Sequence, residues 1–439
     1  MTTLIALLLS AATMGSPPDT LTLRNAHRAA EARFPRGAEA EIARSQRDLR
    51  LRNLDARFLP SITVGSQATY VSDVAEIGIS MPGFTSPSIA KDQYRLGVTV
   101  DQLVYDGGLV DAQRSIEQVQ AEFAAQDAAV AAYSVRDAVE AAWFGVLMAD
   151  AEIATLDVLT EDVVARRDQT RAAVDRGVAL RSNVDVLSAE VLRIGQQRAA
   201  VRARRRGALD ALAEWTGWDL PERTELSPGL DFPVRDREMP DAPRPGANTH
   251  AAGWTGSSAR PEFRLFELSR ERLAAQSALV GRRNRPRVAA FADGAVGRPQ
   301  GMNFFENDIG PFFSVGIRAS WTPWDWHVNA RERETLALQA EVVSAQEETF
   351  DQGLRGRAAR LRGEISAIES QLAMDPEIIE LRRRIADDMN TKFESGVATA
   401  TDYLTERNAE HRASLAESQR RIQLAQARAA LETLLGANR

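Results

Sequence analysis

The sequence predicts an α+β membrane protein that is internally duplicated, with two barrel strands and one long antiparallel helical hairpin in each copy. Three observations support this fold class. Equivalent residues recur at a constant lag, two stretches in each copy alternate apolar and polar residues, and the long stretches between them have helical periodicity. Because 44% of the residues are apolar and 26% are charged, a polytopic helical membrane protein does not fit.

The duplication appears as a fixed spacing between equivalent residues. Pro35 and Pro60 recur as Pro261 and Pro286, which lie 226 positions later. From Gly97 onwards the lag is 219, so that Gly97 recurs as Gly316. A lag that changes once, inside a stretch rich in Gly, Pro and Ser, indicates one shortened loop. We therefore expect the function to come from what a duplicated unit builds rather than from a single catalytic pocket.

The N-terminal residues predict export across a membrane. Residues 1-16 contain a short apolar run, from Leu4 to Ala12, followed by small residues, and this run is too short to cross a bilayer as a helix. We interpret residues 1-16 as a signal peptide. The chain has no cysteine, which excludes disulfides and thiolate metal sites, and its net charge of -7 argues against nucleic acid as a partner.

The first copy, residues 20-217, begins with helical periodicity from Leu21 to about Arg57 and a break near Pro35. Two alternating stretches follow, at about 61-71 and 94-104, and each places apolar residues on one face and polar residues on the other. The second copy, residues 261-436, repeats this order, with strands at about 287-297 and 311-322. Between the copies, residues 218-260 are rich in proline and predict a connector.

Each alternating stretch has about the length that a tilted strand needs to cross a bilayer. Apolar-out, polar-in strands with aromatic residues at their ends are typical of outer-membrane β-barrels. The alternative is a soluble hairpin that packs one face on a core. Two matched hairpins behind an export signal favour the membrane interpretation. The predicted interfacial aromatic residues are Phe304, Phe305, Phe312, Phe313, Trp321, Trp324 and Trp326.

Long helices follow each pair of strands. From Gly108 to Gly177 the helical period persists for 69 residues, which corresponds to roughly 100 Å at about 1.5 Å per residue. Turns are predicted near positions 177 and 396, so each copy contains a helical hairpin. In the second copy we expect Asp375-Pro376 to kink or end the first helix of the hairpin.

Four strands per chain cannot close a transmembrane barrel, because open strand edges in lipid leave backbone groups without hydrogen-bond partners. If the strands lie in a membrane, the chain must therefore form oligomers. A dimer supplies eight strands and a trimer twelve, and closure alone permits either.

Together these features resemble the TolC-like outer-membrane efflux proteins. The resemblance rests on the duplicated order of elements, on Leu59-Pro60 before the first strand, on the segment from Leu103 to Gly108 at the strand-to-helix junction, and on the segment from Gly396 to Leu404. It implies a homotrimer that forms a 12-stranded outer-membrane β-barrel and a periplasmic α-helical barrel. It further implies docking to a periplasmic adaptor protein and an inner-membrane RND or ABC transporter.

The resemblance also implies functional positions at the two hairpin tips. Acidic residues in the family ring the periplasmic aperture at two positions beyond the second tip, where this sequence has Asp402 and, in place of the second acid, Thr405. With Asp185, the acid beyond the first tip, these residues are the aperture candidates. Departures from the family pattern, with Phe393 for a tyrosine and Ala398 for an arginine, put its gating contacts in doubt. The alternative is that Asp402 caps the helix after the tip. The predicted adaptor contacts are Gly177, Val178, Ala179, Gly396, Val397 and Ala398.

We therefore expect an outer-membrane exit channel of a tripartite efflux system in a Gram-negative bacterium. Two alternatives stay open: the exit duct of a type I protein secretion system, and a soluble coiled-coil scaffold. An enzyme is not expected, because the four histidines are scattered and the phosphate-binding motifs are missing. We predict no cofactor and no metal site.

Overall fold

The computed structural model describes residues 21–74, 90–227, 259–301 and 308–436. The predicted signal peptide, most of the connector 218-260, and Phe304 and Phe305 lie outside the described residues. The chain divides into two compact units. We call Met1–Ala38, Gln126–Arg264 and Glu347–Arg439 the helical unit, and Glu39–Ala125 and Leu265–Gln346 the sheet unit.

Within the described residues, the elements alternate between helices and paired strands in the same order twice. The strands are β1 (Ser61–Tyr70), β2 (Asp92–Tyr105), β3 (Arg287–Arg298) and β4 (Gly310–Ser320). The helices are α1 (Leu23–Arg33), α2 (Gly37–Asp55), α3 (Leu109–Asp175), α4 (Arg181–Thr216), α5 (Pro261–Arg282), α6 (Val328–Glu394) and α7 (Ala400–Leu435).

The sheet unit is built on one antiparallel sheet in the order β1-β2-β3-β4. The strands of the two copies join at the β2–β3 pair, where Thr99 lies opposite Asp293, and a bulge between Leu103 and Tyr105 shifts the register. Strands β1 and β4 form the two edges of the sheet. In the described part of the chain neither edge strand pairs with a further strand, so both leave one row of backbone groups available for pairing.

The register of the sheet separates apolar from polar side chains, because alternate residues of a strand point to opposite faces. Val64 pairs with Val98 and Ala292 with Val315 on the face that we call the apolar face. The predicted alternation of the strands is therefore confirmed by the pairing of all four. The opposite face, which we call the polar face, carries these residues: Thr63, Gln67, Arg95, Thr99, Asp101, Asp293, Ser314 and Arg318.

The apolar face is exposed to a degree that is rare in monomeric soluble proteins. Phe313, Val315 and Ile317 on β4 are 80%, 71% and 76% exposed, and Ile62 and Val64 on β1 are 70% and 69% exposed. A contiguous exposed apolar surface of this kind marks contact with a membrane or another protein.

The helical unit has its core where α3, α4 and α7 pack along their lengths. Leu187, Ile194 and Val201 of α4 are fully buried against α3 and α7 at spacings of seven residues, as in a coiled coil. Two arginines interrupt this seam and are neutralised by acids of α3. Arg198 forms an ion pair with Asp157 at 2.7 Å, and Arg205 forms one with Asp150 at 2.5 Å.

One expectation about the helices is wrong in part. Helix α6 does not end at Asp375-Pro376 but continues from Val328 to Glu394. The Asp375 carboxylate is buried and accepts a hydrogen bond from Arg420 of α7 at 2.5 Å, which ties the proline-containing turn to the neighbouring helix. Packing of this kind can hold a helix together across a proline, although the proline removes one backbone hydrogen bond.

None of the helices in the described segments combines the length and the apolar character that a membrane span requires.

Candidate functional site

The sheet unit passes from strand to helix through the same hydrogen-bonded turn in both copies. Asp106 accepts hydrogen bonds from the backbone N–H groups of Gly108 at 2.8 Å and Val110 at 2.6 Å. Asp325 accepts equivalent bonds from His327 and Asn329, both at 3.0 Å. Each aspartate thus caps the first turn of a long helix, because the first N–H groups of a helix lack partners within it.

The two junctions differ in the residues that occupy the left-handed conformation. In the first copy the turn uses Gly107 and Gly108, with φ of 73° and 82°. In the second copy the equivalent residues are Trp326 and His327, with φ of 55° and 62°. Side chains with a Cβ atom rarely adopt this conformation, since it costs roughly 1–2 kcal/mol per residue. The second junction therefore carries backbone strain that the first avoids.

Aromatic side chains surround the second junction. The rings of Trp324 and Trp326 meet edge to face with their centroids 5.7 Å apart, and the Trp321 indole donates a hydrogen bond to the Asn284 carbonyl at 3.0 Å. Trp321, Trp324 and Trp326 are 62–75% exposed. Exposed tryptophans with a polar N–H and an apolar ring suit the boundary between lipid and water.

The predicted interfacial role of Phe312 does not agree with the strand register. Phe312 lies opposite Ala295 on the polar face, whereas its neighbour Phe313 lies on the apolar face. Tyr70 and Tyr94 lie on the apolar face near the same end of the sheet and are 74% and 50% exposed. Sequence analysis did not assign these two tyrosines to the aromatic set, although their position at strand ends was a signal for it.

The tips of both helical hairpins have the same backbone. Gly177 and Gly396 have φ of 76° and 75°, and the N–H groups of Val178 and Val397 donate to carbonyls of the preceding helix at 3.0 and 2.9 Å. This is the pattern that ends a helix with a left-handed glycine. The turns leave Val178 and Val397 74% and 78% exposed, while Ala179 and Ala398 are half-buried.

Asp402 belongs to a capping box at the start of α7. Its carboxylate accepts a hydrogen bond from the Thr399 hydroxyl at 2.7 Å and one from the Thr399 N–H at 3.0 Å, and its own N–H donates to the Thr399 hydroxyl. These hydrogen bonds, from the hydroxyl first and then the backbone, hold the pKa of Asp402 below its ordinary value. The carboxylate is therefore ionised at neutral pH and exposed.

The other two aperture candidates are also exposed. Thr405 lies one turn further along α7, and its hydroxyl donates to the Thr401 carbonyl at 2.8 Å. Asp185 lies in the first turns of α4. No hydrogen bond or ion pair among the described residues joins Asp185 to Asp402 or Thr405.

A polar cluster just beyond the second tip joins α3 to α7. The Tyr403 hydroxyl and the Arg407 Nε both donate to Asp162 Oδ2 at 2.8 Å, and Arg407 also pairs with Glu410 at 2.6 Å. Burial and the hydrogen bond to Asp162 raise the pKa of Tyr403 to about 12. The cluster was not predicted, because Asp162 and Tyr403 are 241 positions apart in the sequence.

A second polar cluster is buried in the core of the helical unit. His27 Nε2 of α1 lies 3.4 Å from Glu140 Oε1 of α3, and the Thr433 hydroxyl of α7 donates to the same oxygen at 2.5 Å. Burial, followed by the charge of Arg136, lowers the pKa of His27 to about 4, and burial raises that of Glu140 to about 7. At neutral pH the histidine is therefore neutral, and the contact is not a salt bridge.

Neither cluster resembles a metal site. In the part of the chain that the structure describes, no group of three or more His, Cys, Asp or Glu side chains is placed so that it could hold a metal ion.

No protein-family model matches the sequence, and no curated protein does so at a significant level. Solved structures, in contrast, match along nearly the whole chain. A structure of CusC, described for its transmembrane channel formation, has a TM-score of 0.66 and 9% identity, and the match covers 94% of this chain and 91% of CusC.

Two further solved structures match the chain over a similar length. The outer-membrane channel OprN has a TM-score of 0.64 and 17% identity over 97% of this chain and 95% of its own. The chain has the fold of these membrane channels. The open state of the MtrE outer-membrane channel of Neisseria gonorrhoeae matches with a TM-score of 0.63 and 16% identity over 94% and 88% of the two chains. The outer-membrane channel fold thus accounts for the duplicated order of strands and helical hairpins.

Proposed function

We propose that this protein is the outer-membrane exit channel of a tripartite efflux system, a passive duct that performs no catalysis. The main support for this proposal comes from the four-stranded sheet. It has one exposed apolar face, one polar face and two edges that pair with no further strand among the described residues. Such a sheet is one part of a membrane barrel wall, because a barrel needs an apolar outer face, a polar lumen and no free edge. The shared fold with outer-membrane channels supports this proposal.

The proposed assembly is a homotrimer. Three copies would bring twelve strands into one barrel, with β1 of each copy paired to β4 of the next. The helical unit also supports association of several chains, because helix α6 has an apolar stripe that the described residues of its own chain leave exposed. The stripe has the 4-3-4 spacing of a coiled-coil seam. Its residues, each 44–55% exposed, are Met374, Ile378, Leu381 and Ile385.

The proposed partners meet the helical hairpin tips. Val178 and Leu180 at the first tip and Val397 at the second are 70–78% exposed, and exposed apolar residues on tightly hydrogen-bonded turns suit a protein contact. We assign them to a periplasmic adaptor protein, which would couple the channel to an inner-membrane RND or ABC transporter. In this arrangement the helical hairpins lie in the periplasm of a Gram-negative bacterium.

The proposed periplasmic aperture carries Asp402. An ionised carboxylate that is repeated three times around a narrow axis creates a negative potential and favours cations. Capping does not conflict with this role, since the capping box leaves the Asp402 side chain exposed.

Three measurements on the full-length protein test the proposal. Cells that produce it are fractionated, the detergent-extracted oligomer is cross-linked and its mass is measured, and the same material is added to planar lipid bilayers. We expect the protein in the outer membrane, a mass of three chains, and discrete conductance steps. A protein that stays monomeric in water without detergent contradicts the proposal, and a mass of two chains contradicts the twelve-stranded barrel.

A further inference from the structure

The polar face of the sheet holds its charges in pairs. On the neighbouring strands β2 and β3, the Asp293 carboxylate accepts a hydrogen bond from Arg95 and one from the Thr99 hydroxyl at 2.8 Å. A second pair crosses the sheet further along, where Arg318 of β4 lies 3.8 Å from Asp101 of β2. Asp293 therefore holds Arg95 by a hydrogen bond, whereas Asp101 and Arg318 form a looser ion pair between exposed side chains.

Each of these arginines also lies on an aromatic ring. The Arg95 guanidinium is 5.6 Å from the centre of the Phe312 ring, and that of Arg318 is 5.0 Å from the centre of the Phe291 ring. Phe291 itself lies close against Gly316, where a Cβ atom would come within 2.8 Å of the ring. The guanidinium groups of Arg95 and Arg318 thus make cation–π contacts with the rings of Phe312 and Phe291.

The strand residues of this face carry a small net positive charge. Among the described strand residues, the register places three arginines (Arg95, Arg287 and Arg318) and two aspartates (Asp101 and Asp293) on the polar face. The apolar face carries charge only at its end, where Arg298 pairs with Asp92 at 2.7 Å. Removing one aspartate from the polar face would raise this net charge from +1 (three minus two) to +2 per chain, and the barrel would repeat the increase in every copy.

We propose that Asp293 and Asp101 are selectivity determinants of the channel, which hold Arg95 and Arg318 against the barrel wall and cancel their charge. This inference rests on the proposed function, because it requires that the polar face lines the lumen. Charged rings in a pore select ions of the opposite sign, and lumen substitutions tune that selectivity. In the wild-type barrel the two aspartates would then reduce the preference for anions to that of one excess arginine per chain.

The test is the reversal potential of single channels in planar bilayers under a KCl gradient. We expect Asp293→Asn to shift selectivity toward anions, because it frees Arg95, and Arg95→Gln to shift it toward cations, because it leaves Asp293 unbalanced. The double variant Arg95→Gln with Asp293→Asn should return to the wild-type value, since it removes both charges together.

Asp92→Asn is the matched control, because it breaks an Arg–Asp pair between the same two strands but on the apolar face. It should leave the reversal potential unchanged. Wild-type selectivity in both single variants, or an equal shift in the control, would overturn the inference. A failure of the wild-type protein to form any conductance would instead count against the proposed function, so the two failures are distinguishable.

Discussion

At the residue scale, the buried carboxyl group of Glu140 makes the stability of the helical unit depend on pH. Burial raises its pKa from an ordinary 4.5 to about 7, with a smaller contribution from the neighbouring Asp137, while the hydrogen bond from Thr433 opposes the shift. The folded protein thus binds this proton more tightly than the unfolded chain does. The corresponding stabilisation is complete below pH 4.5 and is lost as the pH rises to about 7.

Glu140→Gln should remove this dependence, because glutamine resembles the protonated carboxyl group in shape and cannot ionise. One pKa unit corresponds to about 1.4 kcal/mol. Between pH 4.5 and pH 8 the free energy of unfolding of the variant should therefore rise by roughly 3 kcal/mol relative to that of the wild type. Thermal unfolding of both proteins across this range measures the difference. His27 titrates in both proteins, and its own contribution is lost as the pH falls from 6.5 to about 4. A difference that is the same at every pH would contradict the assignment.

Asp402 has two separable roles at the same scale, a helix cap and a charge at the proposed aperture. Asp402→Asn should reduce the cation selectivity of single channels in a planar bilayer, because it removes the ionised carboxylate. Thr399→Ala is the matched variant, since it removes the capping hydroxyl but keeps the carboxylate. It should lower the melting temperature, by loss of about 1 kcal/mol, and leave the selectivity near the wild-type value. Unchanged selectivity in Asp402→Asn would leave only the capping role.

At the element scale, the strand-to-helix junction of the first copy depends on a glycine. Gly107 has a φ of 73°, and a Cβ atom there would lie 2.6 Å from the Arg285 Cβ and 3.2 Å from the Pro286 carbonyl oxygen. Gly107→Ala should therefore destabilise the assembled protein by roughly 1–2 kcal/mol or more, measured as a lower temperature of oligomer dissociation. Gly294→Ala is the control, because Gly294 lies on the inner strand β3 and a Cβ atom there meets nothing within 4 Å, so the substitution should cost little. Equal effects of the two substitutions would exclude the junction strain as the cause.

Sequence periodicity was sufficient to predict the elements and their faces, because those properties depend on neighbours close in the chain. The alternation in β1 to β4 and the left-handed glycines at 177 and 396 are local signals of this kind. The continuation of α6 through Pro376 was not predictable in this way, since it involves Arg420 of another helix. The sequence repeat also did not predict that Trp326 and His327 adopt the left-handed conformation of Gly107 and Gly108, because their residue types disfavour it.

The two polar clusters of the helical unit could not be predicted from the sequence either, because their residues are far apart in the chain. His27, Glu140 and Thr433 come from three distant segments, and only the packing of α1, α3 and α7 brings them together. In the sequence His27 was one of four scattered histidines. Asp402, in contrast, lies three residues after Thr399, and this spacing is the local signature of the capping box that the structure contains.

At the scale of the whole molecule, engineered disulfides can test whether β1 of one copy pairs with β4 of another. Three strand spacings of about 4.8 Å separate β1 from β4 within a chain, roughly 14 Å, which is too far for a disulfide. Thr63→Cys combined with Ser314→Cys or, in a second variant, with Ser320→Cys should therefore form bonds only between chains. The chain has no native cysteine to interfere. Non-reducing electrophoresis should show covalent trimers.

The control places both cysteines within one chain. Thr63 lies directly opposite Thr99 in the β1–β2 pair, so Thr63→Cys with Thr99→Cys should close a bond inside each copy and keep the mass of a single chain. Covalent dimers without trimers would indicate an eight-stranded barrel. The complete absence of cross-linked species from both β1–β4 variants would exclude the two registers in which Thr63 lies opposite Ser314 or Ser320.

In the proposed assembly, the two open edges of the sheet would also govern how the protein matures. A newly exported chain would present unsatisfied backbone groups and an apolar surface to water until sister chains arrive, and such edges readily pair with unrelated strands. The sheet should therefore become stable only in the same step that closes the ring, so its apparent stability would rise with protomer concentration. Synthesis that outruns membrane insertion would then lead to aggregates, not to a reserve of folded single chains.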